Sequence, residues 1–202
     1  MVVKIVLATG NEHKAEELRA ILVPLLSNIT ADDIVTMRNF PVPDIIENGT
    51  TFEENALIKA RVVAKETGHI ALADDSGICV DIMGGMPGIF SARWSGTHGN
   101  DQENLQLLIA QMADVEPSHR RARFVCAAAL ATPEGAEEVC LGEMRGVILK
   151  SSSGEHGFGY DPIFQADGYD VSNACLSAEE KNAISHRYRA FHALASKIEN
   201  YL

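Results

Sequence analysis

The sequence predicts an α/β protein with a mixed sheet, and three observations lead there. Apolar residues come as β-branched runs and as stripes at helical spacing, in the order βαβαββαββα, which layers helices on a sheet. Arg121 to Ala131 and Glu138 to Leu149 flank Thr132-Pro-Glu-Gly135. The Pro at the second position and the Gly at the fourth suit a type I turn, so these two long runs pair as antiparallel strands. The 202 residues, 46% apolar and 22% charged with 16 Gly and 7 Pro, suffice for one large domain or two lobes around a single core. They exclude disordered and collagen-like chains.

Each element follows from local chemistry. Residues 2 to 8 are β-branched and apolar, and form the first strand; Ala15, Leu18, Ile21, Leu22, Leu25 and Leu26 then recur with helical spacing. Asp33 to Met37 is a second short strand, and the Pro-containing stretch Phe40 to Gly49 is a loop or sheet edge. Thr51-Phe-Glu-Glu54 is a capping box opening a helix with the buried stripe Phe52, Ala56, Ala60 and Val63, ended by Gly68. Ile70 to Ala73 reads as a buried strand ending at Asp74-Asp75-Ser76-Gly77, with Ile78 to Met83 as another apolar run. The loop Gly84 to Gly88 leads to Ser91-Ala-Arg-Trp94, and Asn100 with Glu103 caps a helix to about Met112. After the loop Ser151 to Asp161, Ser177-Ala-Glu-Glu180 caps a last helical region, whose buried face is Ile184, Tyr188, Phe191, Ala195 and Ile198. Residues 1–202 read as a single domain without repeats.

Charge and composition exclude several functions. With 28 acidic and 17 basic residues the formal net charge is -11, whereas a binder of nucleic-acid polymers needs a basic face to displace phosphate counterions. Cys79, Cys126, Cys140 and Cys175 lie far apart without a CxxC, which fits a reduced, cytoplasmic protein. The opening Met1 to Ala8 is short and carries Lys4, and no later apolar run approaches the roughly 18 residues of a span, so neither targeting nor a membrane partner is expected. The seven histidines show no HExxH or HxH spacing, which argues against a zinc enzyme.

Four stretches could carry chemistry, each with a plainer alternative. At Thr9 to Lys14 a strand passes through a Gly-containing turn into a helix, where free N–H groups and the helix dipole suit an anion and Lys14 could reach a phosphate; an ordinary βα turn looks the same. Asp74-Asp75-Ser76-Gly77 could hold Mg²⁺ or supply a general base, or be an Asx turn, and Glu47 could add a third carboxylate or be a solvated loop residue. Asn55 and Lys59 are four apart on the edge of a helix stripe, for which solvent exposure is the default. Phe158-Gly-Tyr-Asp161 offers a ring between glycines that could stack on a planar base or pack into the core; Lys181 and His186-Arg187 open the final helical region, where basic residues are normally just surface. Three acids, four basic candidates and one loop aromatic, all near element ends, are what a magnesium nucleotide site requires.

Six motifs then give a resemblance that runs through nearly the whole chain. Thr9-Gly-Asn-Glu-His-Lys14, Glu47-x-Gly49-x-Thr51-Phe52-x-x-Asn55-Ala56-x-x-Lys59-Ala60, Ala73-Asp-Asp-Ser-Gly77, Gly85-x-Pro-Gly-x-x-Ser-Ala-Arg-Trp94, Gly157-Phe-Gly-Tyr-Asp-Pro162 and Lys181-x-x-x-Ser-His-Arg187 resemble the inosine triphosphate pyrophosphatase family. The resemblance implies Mg²⁺-dependent hydrolysis of ITP, dITP and XTP to the monophosphate and pyrophosphate, a homodimer, and an elongated α/β body whose two lobes flank a cleft. It implies that Thr9, Gly10, Asn11, Glu12, His13 and Lys14 form the triphosphate loop and that Lys59, Ser76 and Lys181 are further substrate contacts. Phe158, Gly159, Tyr160 and Asp161 with His186 and Arg187 would form the base pocket, Arg187 donating to the purine oxygen at position 6. Glu47, Asp74 and Asp75 would hold Mg²⁺, Asp75 also taking a proton from water. The rivals are a nucleotide-binding sensor without turnover and a pyrophosphatase for another nucleotide; the carboxylates disfavour the sensor, because acids beside a phosphate site weaken binding.

Overall fold

The computed structural model describes residues 4–202; the expected strand residues Val2 and Val3, and the side chain of His13, lie outside the described residues. Strands β1 (Ile5–Leu7), β2 (Ile34–Thr36), β3 (Ile70–Val80), β4 (Arg121–Ala131), β5 (Glu137–Ile148) and β6 (Phe164–Ala166) form one sheet in the order β2-β1-β3-β4-β5-β6. It is mixed, since β1 runs parallel to β2 and β3 whereas β5 and β6 are antiparallel. The main helices are α1 (Glu12–Leu22), α2 (Phe52–Thr67), α3 (Asp101–Gln111), α4 (Ala178–Ile184) and α5 (His186–Ile198). Among the described residues no helix is long and apolar enough to cross a membrane.

The chain divides into two compact units. The first holds residues up to Asp75 with Cys126–Gly142 and Arg187–Leu202. Its core joins Ile5 and Leu7 of β1, Leu18 and Leu22 of α1, Leu72 of β3, Leu130 of β4 and Phe191 and Leu194 of α5. The Asn11 side chain caps α1 by accepting from the Lys14 amide at 3.3 Å. Although the helical spacing continues to Leu26, α1 stops at Leu22, where Pro24 has no amide to continue the hydrogen-bond ladder; Val23 before it keeps helical angles, φ -57 and ψ -43. At the start of α2 only half of the capping box forms: Thr51 accepts from the Glu54 amide at 3.1 Å, while the Glu54 carboxylate turns back to Thr50.

The second unit holds Ser76–Val125 and Glu143–His186. Ile78, Val80, Leu105, Leu108, Met112, Ile163 and Phe164 build its core, with Phe124 edge-on to Phe164 at 4.7 Å. Buried Arg120 staples this unit through carbonyls alone, donating to Met112 at the end of α3 and to Ile148 and Leu149 at the end of β5.

Three expectations are corrected. Asp74 to Gly77 does not break a strand: β3 runs unbroken through it. The turn preference of these residues is a weak local term, overridden by the partners that the two aspartates find. The three-residue β6, paired to β5 from Gly146↔Ala166 to Ile148↔Phe164, is too short to show a period. The last helical region is two helices, since Ser185 is extended at φ -65, ψ 150.

Candidate active site

Everything in the first unit's polar cluster follows from the continuity of β3. Successive side chains of a strand point to opposite faces, so Asp74 and Asp75 meet different partners. Asp74 lies on the side of α1 and α5, Asp75 on the side of α2.

Asp74 is 3% exposed, and both its oxygens are taken. Lys14 Nζ, from the first turn of α1, lies 2.8 Å from Oδ1, and Arg187 Nε, from α5, donates to Oδ2 at 3.2 Å. Arg187 is itself 3% exposed and donates through Nη1 to both oxygens of Glu17 at 3.0 Å. Burial alone would push the Asp74 carboxyl up, but Lys14, Arg187 and Lys59 together hold it well below the usual carboxylate range. The same pairing, with Asp74 and Glu17, keeps the Arg187 guanidinium protonated against its own burial.

On the other side, α2 presents Asn55 and Lys59 to Asp75. Solvent exposure is overturned for both: Asn55 is 1% and Lys59 9% exposed. Lys59 Nζ donates to Glu47 Oε2 at 2.9 Å and lies 3.5 Å from Asp75 Oδ1, so one ammonium holds two carboxylates. Asn55 Nδ2 donates to Asp75 Oδ2 at 3.1 Å. Burial pushes the Asp75 carboxyl up from its ordinary value, with Lys59 opposing and Glu47 reinforcing. Burial disfavours the Lys59 ammonium, but Asp75, Glu47 and Asp74 outweigh it and raise its pKa.

These contacts decide which acids suit a metal. Among the described residues no group of three His, Cys, Asp or Glu is placed to hold an ion. Mg²⁺ is ordinarily bound through one or two carboxylates, waters and substrate phosphates. Glu47 and Asp75, hard oxygen donors drawn to one cation, fit that description. Asp74 does not, because Lys14 and Arg187 occupy its oxygens on the opposite face.

The phosphate loop has the expected form. Thr9 Oγ1 accepts from the Asn11 amide at 3.1 Å, Asn11 caps α1, and exposed Glu12 begins it. Sequence reading missed two residues here, Glu17 and Arg38, and misjudged the burial of Asn55. Glu17 is legible only as an acid one turn from Lys14. The Arg38 guanidinium stands beside the loop, its Nε 3.3 Å from where a Cβ on Gly10 would be, yet β2 and its following turn carry no motif. Asn55 was visible in the motif but not as a buried group.

The second unit gathers Phe158, Asp161 and Lys181. Asp161, buried, accepts from the Phe158 amide at 3.0 Å, from Asn173 Nδ2 at 3.3 Å and from Lys181 Nζ at 2.9 Å. Gly157 makes this possible: its φ is +76°, and a Cβ would strike the Asp161 carboxylate. The Gly159 amide donates to Asp101 Oδ2 at 3.0 Å. Phe158 is thereby held 51% exposed, with Lys181 Nζ 4.8 Å from its ring centre, so of the two alternatives the ring is presented rather than packed in the core.

Other expected pocket members are placed differently. Tyr160 is buried and donates to the Ser91 carbonyl at 2.8 Å, making it part of the core. Asp161 organises the loop from within. His186 is buried and stacks on Phe124 at 4.9 Å and 15°. Ser76 is half-buried on β3. Arg187 gives Nε and Nη1 to the carboxylates of Asp74 and Glu17.

Known proteins resemble this chain along nearly its full length. The model of the Ham1 family matches residues 5–197. A dITP/XTP pyrophosphatase of Streptomyces avermitilis is 52% identical over 200 residues, covering 98% of both chains. Another of that name, from Leifsonia xyli subsp. xyli, is 54% identical over 195 residues, covering 95% of this chain and 94% of its own. Among solved structures, a HAM1 protein from Coxiella burnetii aligns with a TM-score of 0.87 at 39% identity, covering 99% of this chain and all of the other.

Proposed function

The chain belongs to the Ham1 family, and on that footing we propose that it hydrolyses the non-standard purine nucleoside triphosphates ITP, dITP and XTP to the monophosphate and pyrophosphate. The observation that carries the chemistry is the pair formed by Glu47, in the loop before α2, and Asp75 of β3, drawn together by Lys59 of α2. Residues 1–202 act as one functional domain, and a homodimer in the cytoplasm is the form that accompanies this reading.

In this reading the amides at the start of α1, with Lys14, bind the triphosphate, and Lys59 and Lys181 add positive charge in a protein of net charge -11. Ser76 is a further substrate contact. Asp75 takes the proton of a water whose oxygen attacks the α-phosphorus. The bond from that phosphorus to the α,β-bridging oxygen breaks, and pyrophosphate leaves with its electron pair. Glu47 and Asp75 are the residues to hold Mg²⁺, which when bound offsets charge on the phosphates and the leaving group. Positioning and charge compensation supply most of the rate. Product analysis after incubation with Mg²⁺ and ITP, XTP, GTP, ATP and TTP tests the reaction: inosine monophosphate with pyrophosphate supports it, and orthophosphate with a diphosphate rejects it.

Two outcomes follow for individual residues. Because burial raises the Asp75 carboxyl, its titration in the metal-free protein, followed by NMR, should lie above the ordinary Asp value of about 3.9, and Lys59→Met, which removes the opposing attraction, should move it higher. A titration unmoved by Lys59→Met would show that Lys59 exerts no field on Asp75. Phe158 stacks on the base whatever its substituents, so Phe158→Ala should weaken ITP and ATP alike by about 1–3 kcal/mol. As the ring is half exposed, its melting temperature should stay near wild type; a loss confined to ITP would refute simple stacking.

A further inference from the structure

Gly49 and Asp75, 26 positions apart in the sequence, are bonded to opposite ends of one side-chain amide. Asn55, in the first turns of α2 and 1% exposed, accepts from the Gly49 amide through Oδ1 at 2.8 Å and donates to Asp75 Oδ2 through Nδ2 at 3.1 Å. The orientation of the amide is fixed by its partners, since a backbone N–H can only donate and an ionised carboxylate can only accept. Gly49 is shaped to this contact: a Cβ there would lie 2.7 Å from Asn55 Oδ1 and 2.7 Å from Glu54 Cβ. Asparagine is a poor helix former, and a buried amide is costly unless bonded, so neither α2 nor the core explains its presence.

Resting on the reading of Asp75 given above, we infer that Asn55 is a positioning residue, setting the separation and orientation of Asp75 and the Glu47 loop through the two ends of its amide. Lys59, one turn further along α2, touches the same two carboxylates, at 2.9 and 3.5 Å. The division of labour between them is physical. An ammonium on a four-carbon stem attracts both acids but constrains neither in direction, whereas a planar amide with one donor end and one acceptor end fixes angles as well as distance. Asn55 touches neither Lys14 nor Phe158 among its described contacts, so its loss should leave nucleotide binding intact and disturb the chemical step.

The test compares Asn55→Ala, Asn55→Asp and Asp75→Asn on ITP with Mg²⁺, together with the Kd of each for a non-hydrolysable ITP analogue. Asn55→Ala should lower kcat roughly 10 to 100-fold, as loss of an outer partner of a functional group does, with KM and Kd within about threefold of wild type. Asn55→Asp matches the amide in size and keeps the acceptor for Gly49, but replaces the donor to Asp75 with a repelling carboxylate; it should lose kcat at least as severely. It keeps the question answerable if Asn55→Ala does not fold. Wild-type kcat in Asn55→Asp, or a raised KM with kcat retained in Asn55→Ala, overturns the inference. If Asp75→Asn is inactive in that experiment, the failure belongs to Asn55 alone; if Asp75→Asn is also fully active, it belongs to the reading of Asp75.

Discussion

Asp75→Asn should lower kcat by on the order of 10² or more while the protein stays folded, the scale expected when a general base is removed. The substitution keeps the volume of the side chain and one oxygen, and takes away only the charge and the capacity to accept a proton. Its neighbours identify what is lost. Lys59 keeps Glu47 as a partner at 2.9 Å, and the new amide keeps an oxygen to accept from Asn55 Nδ2, so no buried charge is stranded. Stability should therefore change little, and the melting temperature is the control that separates catalysis from folding. Turnover above about half of wild type at saturating Mg²⁺ would remove Asp75 from the mechanism both as base and as metal ligand.

Arg187→Ala should act in the opposite sense, on the fold more than on selectivity. Arg187 bonds Asp74 at 3.2 Å and Glu17 at 3.0 Å, all three in the first unit and the arginine 3% exposed. Removing one member of a buried ionic network strands the others, a loss of about 3–5 kcal/mol, or about 6–20 °C in melting temperature for a chain of this size. The pH dependence follows from the depressed Asp74 carboxyl. A group whose folded value lies below its unfolded one stabilises fully above the unfolded value, about 3.9, and loses that contribution as pH falls toward the folded one. Wild type should thus lose stability more steeply below about pH 4 than Arg187→Ala does. The ratio of ITP to ATP turnover should persist in whatever variant protein remains folded. An unchanged melting temperature with a diminished ratio would restore Arg187 to the base pocket.

What the sequence by itself determined is what depends on neighbours along the chain. The Thr51 and Asn100 caps, the Gly68 stop, the Thr132 to Gly135 turn and the apolar stripes of α1, α2 and α5 rest on contacts within one turn of helix or one hairpin, and all were legible. So were the residue types that a nucleotide site needs, because six motifs preserve them in order. Tertiary structure decided which of these residues meet. Asp74 and Asp75 are adjacent in sequence and chemically identical, yet the pleat of β3 sends one to Lys14 and Arg187 and the other to Asn55 and Lys59. One becomes a buried structural anion with its acidity strengthened, the other a carboxyl with its acidity weakened. Local propensity carried no information on this, and favoured a turn at Asp74 to Gly77. Burial and the fields of charges brought from residues 14, 59 and 187 set the two roles, and those terms exist only once α1, α2 and α5 have packed against the sheet.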